Sequence, residues 1–204
     1  MGPDRHLVIG DSSTVVWIDE SARSGALGIA YVVVGVRNVG LDLSAFQRLD
    51  SMLLPGQRYV HWRDESSRRR RELVAVFNEL ALDVTVAFAE GVGARRQEEA
   101  RHLCLVELIR EAAVGPHRLD RVAIEGRGKD LDLRDRSTVL NECRVSMPGA
   151  APHVDFVAKP ASPLLWVADA VASMASMHFA DHEGSDFWWR ELRVPRLTMR
   201  RATP

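Results

Sequence analysis

Apolar and polar positions along this chain change period several times, and each change predicts an element. STVVWID (13–19) is β-branched and aromatic and predicts a first strand. ALGIAYVVVGV (26–36) predicts a second, folding back on the first after the turn-forming SARSG. Leu43, Phe46, Leu49 and Leu53 fall at helical spacing and predict a short helix that ends before the turn PGQ. RYVHW is a short extended piece. Leu73, Val76, Phe77 and Leu80 form one face of a helix over 64–80, which Asp64 or Ser66 can cap. DVTVAFAE (83–90) alternates as a strand and leads through GVG into a helix over 95–113, with Leu105, Leu108, Ile109 and Ala112 as its buried stripe. A strand DRVAIE, the polar loop GRGKD, a helical stretch over 134–143, a last strand HVDFVAK and a helix over 163–179 follow. The tail WWRELRVPRLTMRRATP is amphipathic at first and then irregular, and it receives no role.

An antiparallel opening followed by strand and helix units predicts an α/β fold with a mixed sheet flanked by helices, and a helical insertion (43–81) between strands two and three. At 204 residues the chain reads as one domain with a loose start at 1–12 and a C-terminal extension over 182–204. A hydrophobic share of 46% and a charged share of 27% are those of a folded globular protein. The apolar run 26–36 is too short to span a bilayer and no basic, apolar leader opens the sequence, so a cytoplasmic protein without a membrane partner is expected. Cys104 and Cys143 lack CxxC spacing, which points to reduced thiols.

A net charge of −1 gives no global attraction to nucleic acid. Of 27 basic residues only Lys129 and Lys159 are lysines, which leaves 25 arginines. Arginine suits phosphate oxygens, but a codon bias replacing lysine throughout explains the same excess.

The candidate chemistry lies in isolated acids within apolar surroundings. Asp19 and Glu20 end the first apolar run, and neighbours on a strand point to opposite faces, so one acid can enter a cleft while the other turns away. Glu125 ends RVAIE, and Asp169 stands inside PLLWVADAVASM, with the small residues Ala172, Ser173 and Ser176 about one turn on and beyond. Convergent carboxylates bind hard divalent cations through oxygen. The alternatives are a strand end with a turn for Asp19 and Glu20, and a buried acid held by an arginine for Asp169. Arg68 to Arg71 fan around the start of a helix; Arg68, with Arg127 and Lys129 of GRGKD, can border a nucleic-acid groove or form a solvated face. Trp62 can stack on a base or belong to the core.

The order WIDES, VAFAE, VAIE and PLLWVAD resembles the bacterial ribonuclease H-like family known as domain of unknown function 3800, with an opening motif of the type YIDESG and a closing motif of the type PLLQLAD. The resemblance covers nearly the whole chain. Trp166 stands where glutamine is usual, Ala22 where glycine is frequent, Glu125 where many relatives have aspartate, and Glu90 where lysine is frequent. The resemblance implies a ribonuclease H-like fold with an acidic cluster binding two Mg²⁺ or Mn²⁺ ions. Asp19, Glu125 and Asp169 would be ligands, with a fourth acid from Glu98, Glu99 or Glu107; Glu98 stands first among these. It also implies a role for His61, where relatives often carry histidine or lysine, in contacting a phosphate or relaying a proton; the alternative is a surface or hydrogen-bonded structural histidine. The expected activity is metal-dependent hydrolysis of RNA or DNA. A non-catalytic nucleic-acid or protein-binding module on the same fold is the alternative. A nucleotide-dependent ATPase ranks last for want of a glycine-rich phosphate loop.

Overall fold

The computed structural model describes residues 14–39, 43–149, 151–181 and 186–203; the predicted loose start at 1–12 lies outside them. The β-branched opening runs form β1 (Val15–Gly25) and β2 (Gly28–Asn38), antiparallel, with Trp17 opposite Val36 and Gly25 opposite Gly28. The insertion supplies α1 (Leu43–Ser51) and α2 (Ser67–Glu79), and β3 (Leu82–Val92) returns antiparallel to β2. Ser66 is the residue that caps α2, its hydroxyl accepting the Arg69 N–H at 3.3 Å. Then follow α3 (Gln97–Val114), β4 (Arg121–Glu125), α4 (Lys129–Ser146), β5 (His153–Val157), α5 (Pro163–Phe179), α6 (Asp186–Glu191) and β6 (Arg196–Arg201).

The six strands lie in the order β5-β4-β1-β2-β3-β6, with β4 parallel to β1 and β5 parallel to β4. This is the predicted mixed sheet flanked by helices, with its antiparallel opening, strand–helix units and helical insertion. Val15, Trp17 and Ala123 face the side covered by α2 and α5, while Val16, Ile18, Val122 and Ile124 face α3 and α4. Among the described residues no helix is long and apolar enough to cross a membrane.

Three expectations need correction. β1 does not stop at Asp19: the segment SARSG pairs with β2 to the tip, so Asp19 and Glu20 lie in mid-strand. Helix α4 begins at Lys129, five residues before the predicted stretch. HVDFVAK is not the last strand, because the tail forms β6, parallel to β3 at the sheet's edge. Its RLTMRR side chains are nearly all exposed, so the strand lacks the buried alternation by which strands are recognised.

The hairpin tip is anchored by contact rather than by turn chemistry alone. A Cβ on Gly25 would lie 2.5 Å from the Ala180 carbonyl oxygen, just past the end of α5. Gly25→Ala is therefore expected to lower stability by about 1 to 3 kcal/mol, the usual range for overpacking. Thermal denaturation of the variant measures it, and an unchanged melting temperature would show that the tip is not held against α5.

Candidate functional site

The parallel register of β1 on β4 pairs Ile18 with Ile124, so the next residue on each strand, Asp19 and Glu125, sits at the same level. Both carry the parity of Trp17 and Ala123 and point toward α5. Helix α5 begins with Ser162 as its cap, accepting the Leu164 N–H, and Pro163 in its first turn, an arrangement suited to a sharp start. Two turns in, Asp169 faces the strands. The three acids predicted from distant segments are thus brought together.

At the point where they meet stands Lys159, from the turn between β5 and α5. Its ammonium lies 2.7 Å from Asp19 Oδ2, 2.8 Å from Glu125 Oε2 and 3.1 Å from Asp169 Oδ1. The remaining oxygens of the two buried aspartates accept backbone amides: Asp19 Oδ1 from Glu20 N–H at 2.8 Å, and Asp169 Oδ2 from Trp62 N–H at 2.8 Å. Asp19 is 3% exposed, Asp169 5% and Lys159 8%. Trp166 donates its indole N–H to the Lys159 carbonyl at 3.1 Å and so helps set the lysine's position. His61 sits at the rim, Nε2 3.7 Å from Asp169 Oδ1 and Nδ1 3.1 Å from Asp64.

Burial raises the Asp19 carboxyl well above its ordinary range; the Lys159 charge opposes this, and Glu125 and Asp169 add to it. Burial lowers Lys159, but Asp19 and Asp169 outweigh it and the ammonium is held above its ordinary range. The cluster sets three carboxyl groups against one ammonium.

The sheet separates this centre from another. Glu20 points the opposite way and meets Arg101 of α3, whose Nη1 lies 2.6 Å from Glu20 Oε2 and whose Nη2 lies 2.8 Å from Asp135 Oδ2. Arg127, a predicted groove residue, belongs to this network: its guanidinium lies 2.8 Å from Glu98 and 3.3 Å from Asp135. Glu98, the predicted fourth ligand, is thereby engaged away from the cluster; Glu99 pairs with Arg96 and Glu107 with Arg110. Glu90 faces Arg201 of β6. Arg68 is a solvated helix residue paired with Glu72, and Lys129 is exposed at the start of α4. Trp62, a candidate stacking platform, is 1% exposed and packs edge-on against Trp188, so its ring offers no face to a base.

Lys159 is the residue that reading the sequence passed over. Its signal was rarity: one of two lysines in an arginine-rich chain, ten residues before Asp169. A compact ammonium can meet three carboxylates at one atom, whereas a planar guanidinium spreads its donors.

Among the described residues no group of three or more His, Cys, Asp or Glu side chains is arranged to hold a metal ion, and the point of convergence holds the ammonium instead. The donor set itself is all oxygen, three carboxylates converging on one point, a chemistry that suits one hard divalent cation. It does not fit two ions: no fourth acid joins it among the described residues, and Asp19 has one oxygen committed to an amide, which leaves it poorly suited to bridge.

Fold and site together define an α/β protein built on a six-stranded mixed sheet, with a lysine-centred carboxylate cluster on its central strands. The sequence matches no family model and no curated protein. Among solved structures, the chain is similar to the ribonuclease H2 from Pyrococcus horikoshii OT3, at 16% identity, covering 80% of this chain and 72% of that one, with a TM-score of 0.48.

Two outcomes follow. A carboxyl whose folded pKa exceeds its unfolded value near 3.8 favours folding at low pH and loses that contribution as pH rises through the folded value. Asp19→Asn should therefore melt above the parent at pH 8 in a chelator, with the gap closing as pH falls toward 4; thermal scans across pH check this. Lys159→Met leaves buried acids uncompensated and should cost about 3 to 5 kcal/mol in denaturant unfolding at pH 8.

Proposed function

We propose that this chain is a divalent-metal-dependent nuclease that hydrolyses the phosphodiester backbone of RNA or DNA at the Asp19, Glu125 and Asp169 cluster. The observation that carries the reading is the meeting of three carboxylates, from β1, β4 and α5, on one point already held by a cation, the Lys159 ammonium. Stability alone does not call for such an assembly, since buried ion clusters are often no better than apolar packing of the same volume. The resemblance of WIDES and PLLWVAD to the domain of unknown function 3800 family supports the same reading.

Asp19 Oδ2, Glu125 and Asp169 Oδ1 are the oxygens that would hold one Mg²⁺ or Mn²⁺ as Lys159 withdraws. When bound, such an ion polarises a phosphoryl oxygen or lowers the pKa of a water. The chain's own groups do the rest. The amides of Glu20 and Trp62 hold the two aspartates in fixed orientations. His61, half-exposed at the rim, is placed to hold or pass a proton at Nε2 while Asp64 orients its other nitrogen. Lys159, once displaced, offers a point charge to a substrate phosphate.

The same ammonium also fits a second reading, a non-catalytic nucleic-acid-binding module in which Lys159 is the permanent counter-ion. Thermal shift with Mn²⁺ and cleavage of labelled single-stranded, duplex and hybrid oligonucleotides separate the two. The nuclease reading expects Mn²⁺ to raise the melting temperature of the parent, to raise that of Lys159→Met more because the competing cation is gone, and to leave Asp19→Asn and Asp169→Asn unmoved. Cleavage should follow the same order, with loss of at least a hundredfold in the two aspartate variants. Absence of any Mn²⁺ response in both the parent and Lys159→Met overturns the reading in favour of the module.

A further inference from the structure

Beside the carboxylate cluster the chain gathers positive charge that no acid answers among the described residues. Arg23 lies four residues beyond Asp19 on β1, with the same parity as Asp19 and Ser21, hence on the face toward α5; Ser21 there bonds Ser176 of that helix at 2.9 Å. Arg63 directly follows Trp62, whose N–H is tied to Asp169, so the cluster itself anchors the arginine's backbone. Arg70, on the first turns of α2, donates from Nε to the Trp62 carbonyl and from Nη2 to the Arg63 carbonyl, both at 3.1 Å, with its guanidinium 5.3 Å from the centre of the Trp62 ring. That leaves three of its five N–H donors.

Among the described residues none of the three has a carboxylate partner within ion-pair distance, and Arg23 Nε is buried with no hydrogen-bond partner at all. Several arginines elsewhere do meet acids, as Arg101 meets Glu20 and Asp135, Arg110 meets Glu142, and Arg200 meets Glu111. Burial lowers the pKa of Arg23, and the charges of Arg63 and Arg70 lower it further, so the three guanidiniums share one electrostatic neighbourhood. Like charges held together by an anchored loop and a strand, with donors left over, are complementary to an anion.

We propose that Arg23, Arg63 and Arg70 form a subsite for the backbone phosphates of a nucleic-acid strand that continues from the carboxylate cluster. The guanidinium fork matches phosphate oxygens two at a time. From Asp19 to Arg23 the strand advances roughly 13 Å at about 3.3 Å per residue. A stacked strand covers that in about four nucleotides at roughly 3.4 Å each, so a polymer, and not a mononucleotide, reaches both places. The assignment rests on the nuclease reading only in taking the bound strand to be the substrate; the binding itself is independent of catalysis.

Fluorescence anisotropy of the full chain with short labelled single-stranded RNA and DNA, in EDTA and over a range of salt, tests it. Arg63→Gln, at an exposed position, and Arg23→Gln should each weaken binding about tenfold and make the slope of log K against log salt shallower by about 0.7, the value for one phosphate contact on a single strand. Arg144→Gln, on the far side of the molecule's sheet in α4, should change neither. Should Arg23→Gln fail to fold, Arg63→Gln decides. Parent-like affinity and salt slope in Arg63→Gln, or no binding by the parent to either oligonucleotide, overturns the subsite. Arginine-dependent binding without Mn²⁺-dependent cleavage upholds the subsite while the nuclease reading falls. Cleavage with arginine-independent binding does the reverse.

Discussion

Compensation of charge at one buried atom organises the α5 side of this molecule. Asp19, Glu125 and Asp169 would repel one another in a setting that strips their water, and Lys159 Nζ is the group that makes their proximity tolerable. Each neighbouring element is arranged to keep that arrangement. The parallel register of β1 and β4 levels two of the acids, the Ser162 and Pro163 start of α5 presents the third, and the Trp166 indole holds the carbonyl of the lysine. Two backbone amides take up the aspartate oxygens that the ammonium does not reach. One of these, from Trp62, fastens the insertion between β2 and β3 to the site and so brings His61 and Arg63 to its rim.

The sheet carries a second charged centre back to back with the first, and the contrast between them is chemical. Arg101, 1% exposed, lies against Glu20 and Asp135 on the α3 and α4 side, and its planar fork contacts two acids in fixed directions. Such a group is always charged and makes a rigid joint between strand and helices. On the α5 side the cation is a lysine, a compact charge on a flexible stem, meeting three acids with a single nitrogen. A joint of the first kind is suited to structure. One of the second kind is suited to exchange under the reading proposed above, in which a small hard cation would meet the same oxygens that the ammonium holds. The strand period of two, acting on the neighbours Asp19 and Glu20, assigns one acid to each centre.

The outline of this fold was legible in the sequence because burial imposes period. Apolar β-branched runs marked β1 and β2, alternation marked β3, helical spacing marked α1, α2 and α3, and three acids stood out because apolar segments rarely tolerate them. Asp19, Glu125 and Asp169 do come together. Local signals misled where local chemistry and tertiary pairing disagree: SARSG has turn composition but lies in β1 because β2 pairs with it to the tip, and RLTMRR has no buried face but is a strand because β3 offers it an edge.

What only the tertiary structure decided is who neutralises whom. Nothing near Glu98, Arg127 or Trp62 in the chain shows that the first two are bound to each other or that the third is walled in by Trp188. Lys159 meets Asp19 across 140 residues of sequence, and Arg23 comes within the field of Arg63 and Arg70 only once β1 and the insertion are packed. Periodicity is written locally, since each element buries one face whatever covers it. Ion pairing depends on distances of a few ångströms between segments that the chain order does not relate, so the residues are visible in the sequence while their partners are not.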